Sequence, residues 1–436
     1  MKGKAWGLFL MALYPVLAAA PLVAFANVHR ISDHARGAEV GVDCAVVGFT
    51  ILALQFLITA RLSWVEAPFG LDVLLVFHRA MAVVATALLC VHPVLVVQEE
   101  GWSLLVGRHA RWYVWLGVAA LALLLTQLIV SLARRLIRLT YDRWRSMHQP
   151  FALSVLALGF VHGVTAGDDS QGAGFLVWAM VLVIALGFWS YARLVRPRTL
   201  LRRPFRVLDV KPEAPRVWTL TLKSPEGLPY AFLPGQFQFL RLHGSEVPSE
   251  EHPFTTASSP ARPDRISVTI KESGDFTSGI ARVRPGDLAT VHGPFGRFSH
   301  VLHPGEEDRV FVAGGVGITP LMSMLRFMRD RSESRRVLLV YACRRAADLL
   351  FAAELDAMEA GGRPRLERVP VLAEPPLGWT GESGLLDADR IARLAGGVAG
   401  KSFYLCCPPG LMRNLIGGLR RMGVNPRHIH ADYFSL

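Results

Sequence analysis

Charged residues are scarce in this chain. Only 19% of its 436 residues are charged, whereas 52% are hydrophobic, and the mean hydropathy is +0.34. A soluble domain carries roughly 25% charged residues, so this composition excludes an ordinary cytosolic enzyme and a disordered scaffold. The long apolar runs nearly all end by residue 192, and the rest has the composition of a soluble domain pair.

Cysteine is also rare and is poorly placed for metal binding. The sequence has no Cys-x-x-Cys pair and no four-cysteine ligand set, which argues against a disulfide framework, a structural zinc site and a fused iron–sulfur domain. Because Cys-x-x-Cys-His is absent, a haem in this chain has no thioether links. The five cysteines are Cys44, Cys90, Cys343, Cys406 and Cys407.

The net charge of +12 comes from 47 basic and 35 acidic residues. The arginines cluster beside the apolar runs, as in membrane proteins whose cytoplasmic loops are basic. The charge therefore indicates a lipid bilayer as partner, and we expect no nucleic-acid partner.

Six apolar stretches have about the 20 residues that a membrane-spanning helix needs. They predict a six-helix transmembrane domain over residues 1–195. The first stretch, which follows Lys2 and Lys4 and contains Ala24-Phe25-Ala26, also has a cleavable-signal interpretation. Its apolar part exceeds the 7–15 residues typical of a signal peptide, so a retained helix is favoured. The stretches are 6–26, 42–60, 71–97, 112–133, 148–166 and 173–192.

The basic residues also predict the orientation of the spans. The loop 134–147 holds five arginines and the segment 193–206 holds six, whereas Glu99-Glu100 and Asp168-Asp169 lie in loops on the other side. Cytoplasmic loops carry the excess of lysine and arginine. Both termini, and everything after residue 200, are therefore expected in the cytoplasm of a bacterial-type inner or plasma membrane.

Two predicted spans carry histidine pairs with the same spacing, His78 and His92 on the third and His148 and His162 on the fifth. Fourteen residues fall about 40° short of four helical turns, so each pair shares a face and is separated by about 21 Å along its helix. A lone intramembrane histidine is usually a packed or pore-lining residue. The matched spacing instead favours haem iron held between facing imidazoles, His78 with His148 near the inner face and His92 with His162 near the outer face. Arg79 has two interpretations. It either pairs with a haem propionate or simply extends its charged end to the membrane interface.

Residues 203–303 alternate short β-rich runs with Gly/Pro turns and predict an antiparallel β-barrel. Phe254 and Thr255 are suited to supply an aromatic wall and a hydroxyl to a flavin ring. Thr277 and Ser278 either begin a helix that binds a pyrophosphate or form a plain N-cap. The predicted strands are Phe205–Val210, Val217–Lys223, Gln238–Leu242 and Ile266–Ile270.

Residues 306–436 alternate strands with helices and predict an open-sheet α/β nucleotide-binding domain. Strand Arg309–Ala313 leads into Gly314-Gly315-Val316-Gly317-Ile318-Thr319-Pro320 and a helix over Leu321–Asp330. Thr319 is expected at the N-cap and Pro320 at the first helical position, where it replaces the third glycine of the dinucleotide fingerprint. Further strands are expected at Arg336–Cys343, Leu366–Leu372 and Ser402–Cys406.

Together these residues resemble the ferric reductase and NADPH oxidase family, in which a six-helix haem domain is fused to a ferredoxin-reductase-like dehydrogenase. The likeness covers residues 5–436. Its specific marks are the paired histidines together with four motifs, namely HPFT (252–255), GDFTSG (274–279), GGVGITP (314–320) and YLCCPP (404–409).

The resemblance implies FAD, two haem b groups and NADPH or NADH as cofactors and electron donor, and it also implies roles for individual residues. The terminal Tyr433-Phe434-Ser435-Leu436 resembles the aromatic segment whose ring, here Phe434, covers the flavin. Cys406 matches the cysteine beside the nicotinamide, whereas Cys407 stands where glycine is usual, which puts close backbone approach there in doubt. Phe434, Cys406 and Thr255 are the residues expected at the reacting groups. The implied FAD residues are His252, Pro253, Phe254, Thr255, Ile270, Lys271, Gly274, Thr277 and Ser278, and the implied nucleotide residues are Gly315, Gly317, Thr319 and Pro320.

The function expected is electron transfer from cytosolic NAD(P)H through FAD and two bis-histidine haems to an extracytoplasmic acceptor, either oxygen, giving superoxide, or a ferric chelate. Arg344 and Arg345 follow the second strand of the nucleotide domain, where Arg344 is placed to meet the 2′-phosphate of NADPH or is simply solvated. Two alternatives stay open. One is a reductase that delivers electrons to a membrane or periplasmic partner protein, and the other is a non-redox six-helix transporter with a regulatory nucleotide-binding domain.

Overall fold

The computed structural model describes residues 2–29, 36–104, 111–166, 173–244 and 247–432. The chain divides into two compact units, Met1–Arg196 and Pro197–Leu436. The first unit is helical and the second contains two sheets.

The first unit contains six helices long and apolar enough to cross a membrane, as the sequence predicts. The short helix α3 (Ser63–Glu66) joins the second and third of them, and a π-helical turn, Tyr191–Val195, continues the last into α8 (Arg196–Arg202). The six are α1 (Lys2–His29), α2 (Arg36–Thr59), α4 (Leu71–Glu100), α5 (Trp112–Ala133), α6 (Tyr141–Ala166) and α7 (Ala173–Ser190).

The two basic segments are more helical than the sequence predicts. Helix α6 begins at Tyr141, so Arg143 and Arg145 are helical residues rather than part of a loop over 134–147. The arginines between residues 193 and 202 also lie in helical turns. Arginine is a good helix former. The arginines therefore interrupt the apolar sequence at these two places, but the helices continue through them.

Small residues let α2 approach α4 closely. A Cβ atom on Gly48 would lie 2.9 Å from Leu89 Cγ and 3.1 Å from the Ala85 carbonyl oxygen. Close backbone approach of this kind is how helices pack in a membrane, where burial of apolar surface gives no advantage. The close packing of α2 on α4 also holds α4, the helix that carries His78 and His92, in place.

The first sheet of the second unit is antiparallel, with strand order β4-β3-β6-β1-β2-β5. Its edge strands meet at one isolated bridge, Thr256–Val268, so the sheet curls toward the predicted barrel without a continuous ladder between its edges. A one-turn helix, α9 (Asp275–Ser278), follows β5. The strands are β1 (Phe205–Ala214), β2 (Val217–Lys223), β3 (Phe237–His243), β4 (His252–Thr255), β5 (Arg265–Lys271) and β6 (Leu288–Phe295).

The second sheet is parallel, with strand order β10-β9-β8-β7-β11-β12. The chain order reverses between β7 and β11, and in open α/β sheets ligands bind at the carboxyl ends of the strands at such a switch point. The strands are β7 (Asp308–Gly314), β8 (Arg336–Cys343), β9 (Arg365–Leu372), β10 (Glu382–Ser383), β11 (Lys401–Cys406) and β12 (Ile429–Ala431). The helices are α10 (Ile318–Asp330), α11 (Ala352–Gly361), α12 (Ala388–Leu394) and α13 (Pro409–Arg421).

Candidate functional site

The structure brings the four membrane histidines together in the pairs expected from their spacing. The ring centres of His78 and His148 are 6.3 Å apart, and those of His92 and His162 are 6.2 Å apart. Each pair joins α4 to α6.

These distances fit one metal ion between each pair of rings. A metal-bound imidazole nitrogen lies about 2 Å from the ion and roughly 1 Å from its own ring centre. Ring centres that share one ion are therefore about 6 Å apart, which is the separation found.

The Nδ1 atom of every one of these histidines is already engaged. Such a bond on one ring nitrogen fixes the tautomer and ring orientation of a metal-binding histidine and leaves the other nitrogen for the metal. The Nε2 atoms are therefore the ones left to face each other. The Nδ1 contacts are His78 with Gln55 Oε1 at 3.0 Å, His92 with the Gly41 carbonyl oxygen at 3.1 Å, His148 with Gln127 Nε2 at 3.1 Å and His162 with the Tyr113 carbonyl oxygen at 2.9 Å.

The Gln127 amide fits this pattern once it is turned end for end. As placed, its Oε1 atom is buried without a hydrogen-bond partner while its Nε2 atom faces His148 Nδ1. The two ends of an amide are interchangeable in shape, and the exchange lets Oε1 accept from the His148 Nδ1–H. In this orientation the Gln127 side chain accepts a hydrogen bond from His148 Nδ1, as the Gln55 side chain does from His78 Nδ1.

Gly117 makes room for one of these rings. A Cβ atom on this glycine would lie 2.9 Å from three atoms of the His162 imidazole. Gly117, Gln55 and Gln127 were not predicted from the sequence, although the two glutamines are polar side chains inside apolar spans, a signal that points to function. Arg79 Nε donates to the Leu75 carbonyl oxygen at 3.4 Å, and its predicted role stays a prediction.

The HPFT and GDFTSG motifs meet in the second unit. The His252 ring packs on the Phe276 ring with centres 4.3 Å apart and planes inclined by 32°, and the Phe254 ring is stacked 6.1 Å from the same ring. Pro253 is exposed and Thr255 is buried in β4. The structure thus joins the two segments to which the resemblance assigns FAD.

The Ile270 side chain is 1% exposed and lies in the core of the antiparallel sheet, whereas the neighbouring Lys271 is exposed. The assignment of this segment to the FAD phosphates stays a prediction, but the predicted start of the next helix is wrong. Helix α9 begins at Asp275 after Gly274, so Thr277 and Ser278 end the helix instead of starting it. The Thr277 hydroxyl already accepts hydrogen bonds from the Ser273 and Gly274 N–H groups at 2.8 and 2.9 Å.

The glycine turn after β7 packs directly on the end of β11. A Cβ atom on Gly317 would lie 2.1 Å from the Cys406 carbonyl oxygen, and one on Gly314 would lie 2.7 Å from Pro408 Cδ. Gly315 has φ +55° and open space around it. The glycine and YLCCPP motifs therefore form one surface at the switch point of the parallel sheet.

The predicted start of the following helix is wrong. A 3-10 turn, Gly315–Gly317, passes straight into α10 at Ile318, so Thr319 and Pro320 are its second and third residues. Both are buried. Thr319 is therefore not the N-cap and Pro320 is not the first helical residue, because the turn itself supplies helical geometry earlier than the glycines suggest.

The two cysteines at the end of β11 are both buried. Burial raises the pKa of the Cys406 thiol well above its usual range and that of Cys407 to about 12, so both are neutral thiols at physiological pH. The Cys407 thiol lies 3.6 Å from the Val312 carbonyl oxygen in the core. The residue in the place of the usual glycine thus directs its side chain into the core.

Arg344 is paired at the end of β8. Its Nε atom lies 2.8 Å from Glu374 Oε1, and the two side chains are 73% and 53% exposed. Arg345 pairs with Asp348. Glu374, which follows the neighbouring strand β9, was not predicted from the sequence. Phe434 lies outside the described residues.

Comparison with protein families gives three matches along the chain. Residues 44–159 match a ferric reductase like transmembrane component, residues 203–289 an FAD-binding domain and residues 311–415 an oxidoreductase NAD-binding domain.

Individual relatives resemble about half of the chain. The stachydrine N-demethylase reductase subunit of Rhizobium meliloti is 27% identical over 57% of this chain and 69% of its own length. NADH-cytochrome b5 reductase 1 of Laccaria bicolor is 28% identical over 57% of this chain and 84% of its own length. The FAD/NAD-binding domain of nitric oxide dioxygenase from Vibrio cholerae superposes with a TM-score of 0.47 at 22% identity, over 53% of this chain and 98% of that domain.

Six membrane-length helices precede the antiparallel sheet and then the parallel sheet. The transmembrane, FAD-binding and NAD-binding family matches fall on these three parts in the same order along the chain. The chain is therefore an integral membrane oxidoreductase with a ferric reductase/NADPH oxidase-like architecture.

Proposed function

We propose that this protein carries electrons from cytosolic NAD(P)H across the membrane to a small-molecule acceptor outside, either oxygen or a ferric chelate. The observation that supports this most strongly is the arrangement of the membrane histidines. Two pairs, with ring centres 6.3 and 6.2 Å apart, use every Nδ1 atom in a hydrogen bond. Such a donor set fits two bis-histidine haems.

Each part of the chain then has a defined task. His78 with His148 and His92 with His162 would hold the haems, and the HPFT segment with α9 would hold FAD. When bound, FAD takes up two electrons from a hydride and releases them singly to haem iron, which accepts one at a time. The glycine turn and the end of β11 position the nicotinamide nucleotide.

Polar groups on neighbouring helices fix the four histidine rings. Gln55, Gln127 and the carbonyl groups of Gly41 and Tyr113 hold the imidazoles in one tautomer and orientation. No general acid or base is required by this function.

The absorption spectrum of the purified full chain tests the proposal. We expect a Soret band, a haem-to-FAD ratio of two, and reduction of both chromophores by NADPH without air. A protein that binds nucleotide but neither haem nor FAD would favour the six-helix transporter with a regulatory domain.

Delivery to a partner protein is the second candidate, because relatives of this chain are named as reductase subunits or components of N-demethylase and monooxygenase systems. Turnover with oxygen or ferric citrate and no added protein distinguishes the two. Rapid turnover supports the small-molecule acceptor, and turnover that requires a membrane extract supports the partner.

Arg344 is expected to favour NADPH over NADH. Its ion pair with Glu374 is exposed and contributes about 0–1 kcal/mol, so a 2′-phosphate can displace the carboxylate. A charge-assisted hydrogen bond contributes about 1.5–3 kcal/mol, so Arg344→Ala should lower the NADPH/NADH ratio of kcat/KM about tenfold or more. Glu374→Gln should raise that ratio by a small factor.

A matched control exists at the other end of the same strand. Arg336 pairs with Glu367 at 3.0 Å, and the two side chains are 54% and 52% exposed. Arg336→Ala should leave the coenzyme ratio unchanged. An equal ratio in wild type and Arg344→Ala would show that Arg344 is not the selector.

Phe434 is proposed to cover the flavin and to leave when nicotinamide arrives. Hydride transfer requires reacting atoms about 3–3.5 Å apart, so a ring in that place weakens apparent nicotinamide affinity. Phe434→Ser should tighten NAD(P)H binding, increase NADH use relative to NADPH and leave both haems in place. Unchanged nicotinamide affinity with lost FAD or a lower Tm would show instead that Phe434 only packs against the fold.

A further inference from the structure

A group of histidines and one glutamate, unused by the proposed function, lies where the segment before β7 meets β12. His303, Glu306 and His430 offer ligand atoms that all lie within 4.8 Å of one another. The segments that supply them are more than 120 residues apart in the sequence. These residues lie outside the HPFT, GDFTSG, GGVGITP and YLCCPP motifs.

The carboxylate of Glu306 is the centre of this group. Its Oε1 atom lies 2.8 Å from His430 Nε2 and 3.5 Å from His428 Nδ1. The Glu306 side chain is 9% exposed and that of His430 13%, whereas His428 is 52% exposed. The group is therefore mostly buried but open to solvent on the His428 side.

The His303 ring stacks on the His430 ring, with centres 4.0 Å apart and planes inclined by 36°. No hydrogen bond to a ring nitrogen of His303 is found within the described residues. Two stacked imidazoles repel each other if both are protonated. An ion pair with Glu306 therefore accounts for the position of one ring but not for that of the other. A metal ion uses the lone pairs of both rings in their neutral forms.

A second layer of contacts fixes the carboxylate. The Tyr404 hydroxyl, on a fully buried side chain of β11, donates to Glu306 Oε2 at 2.5 Å. This bond directs the other oxygen, Oε1, toward the imidazoles. Ser402 Oγ lies 3.1 Å from His428 Nδ1. A carboxylate held by hydrogen bonds in this way is typical of metal sites.

We propose that His303, Glu306 and His430 form a binding site for a divalent transition-metal ion of the zinc class. Two imidazoles and one carboxylate are a ligand set that zinc uses, with water in the fourth position. Mg²⁺ and Ca²⁺ prefer sites made only of oxygen and are not expected here. Binding replaces the His430–Glu306 hydrogen bond by one bond from each residue to the ion, and it ties β12 to the segment before β7.

Metal content of the untagged, full-length protein, loaded with FAD and haem, tests this site. After treatment with a chelator, the protein is dialysed against Zn²⁺ and zinc per FAD is measured by mass spectrometry. We expect one zinc per chain, retained in millimolar Mg²⁺. His303→Ala and His430→Ala should each weaken zinc binding at least tenfold in competition with a chromophoric chelator. FAD and haem contents should not change.

His243→Ala is the matched control, because His243 lies in the same unit and its Nε2 atom contacts only the Thr290 hydroxyl, at 3.2 Å, among the described residues. It should bind zinc like the wild type. Wild-type protein that retains no zinc, or histidine variants that retain as much as His243→Ala, would overturn the proposal. Zinc binding of wild-type strength in a Glu306→Gln protein with full FAD content would also overturn it.

Discussion

His92→Leu is expected to lower the haem content from two to one per chain and to stop electron delivery to an acceptor outside the membrane. His92 and His162 face each other with ring centres 6.2 Å apart, and leucine offers no lone pair to an iron ion. The glycine turn and the flavin motifs lie in the other unit, so NADPH should still reduce the flavin at a rate within about twofold of the wild type, since distant independent sites affect each other little.

The haem-to-FAD ratio and stopped-flow flavin reduction measure both effects. Cys90→Leu is the matched control, because Cys90 lies two residues earlier on α4 and therefore on nearly the opposite face of the helix. It should keep both haems. Two haems per chain in His92→Leu would contradict the ligand assignment.

Gly317→Ala is expected to lower kcat/KM for NAD(P)H about a hundredfold. The added methyl group would lie 2.1 Å from the Cys406 carbonyl oxygen, and no side chain can rotate away to relieve a contact with backbone. The turn or the end of β11 must therefore move by about 1 Å, a displacement that can reduce rate about a hundredfold when it misplaces reacting groups.

Gly361→Ala tests whether any glycine replacement in this unit has the same effect. Nothing lies within 4 Å of the position that its Cβ atom would occupy in α11, so kcat/KM should stay near the wild-type value. FAD content and reduction of the bound flavin by dithionite separate a damaged nucleotide site from a misfolded unit. Wild-type kinetics in Gly317→Ala would show that the close approach to Cys406 does not matter for hydride transfer.

The spacing of apolar residues along the sequence predicts much of the fold, because it shows which face of each helix or strand is buried. The strand β8 was predicted at its observed bounds, Arg336–Cys343, and the six membrane helices were all predicted. The spacing of the histidines gave the pairing of His78 with His148 and of His92 with His162, because a helix fixes which residues share a face.

Contacts between distant segments could not be predicted in this way. The Nδ1 partners of the histidines are between 21 and 51 residues away and lie on neighbouring helices. Ile270 lies in the segment that the resemblance assigns to the FAD phosphates, and strand alternation turns its side chain into the core, which the motif alone does not reveal. The start of α10 was misplaced because a 3-10 turn, Gly315–Gly317, runs directly into the helix, and such turns are frequent at helix ends.

Electron transfer across a sealed membrane tests the central claim most directly. The full chain is reconstituted without oxygen in proteoliposomes that contain ferricyanide, and NADPH is added only outside, where it reaches protein whose soluble unit faces outward. We expect two internal ferricyanide ions to be reduced for each NADPH oxidised, faster when the membrane potential is collapsed, because moving each charge across 100 mV involves about 2.3 kcal/mol. The His92→Leu protein should oxidise no NADPH at the expense of internal ferricyanide. NADPH oxidation by the wild type without reduction of internal ferricyanide, or equal internal reduction by His92→Leu, would contradict transmembrane electron transfer through the two histidine pairs.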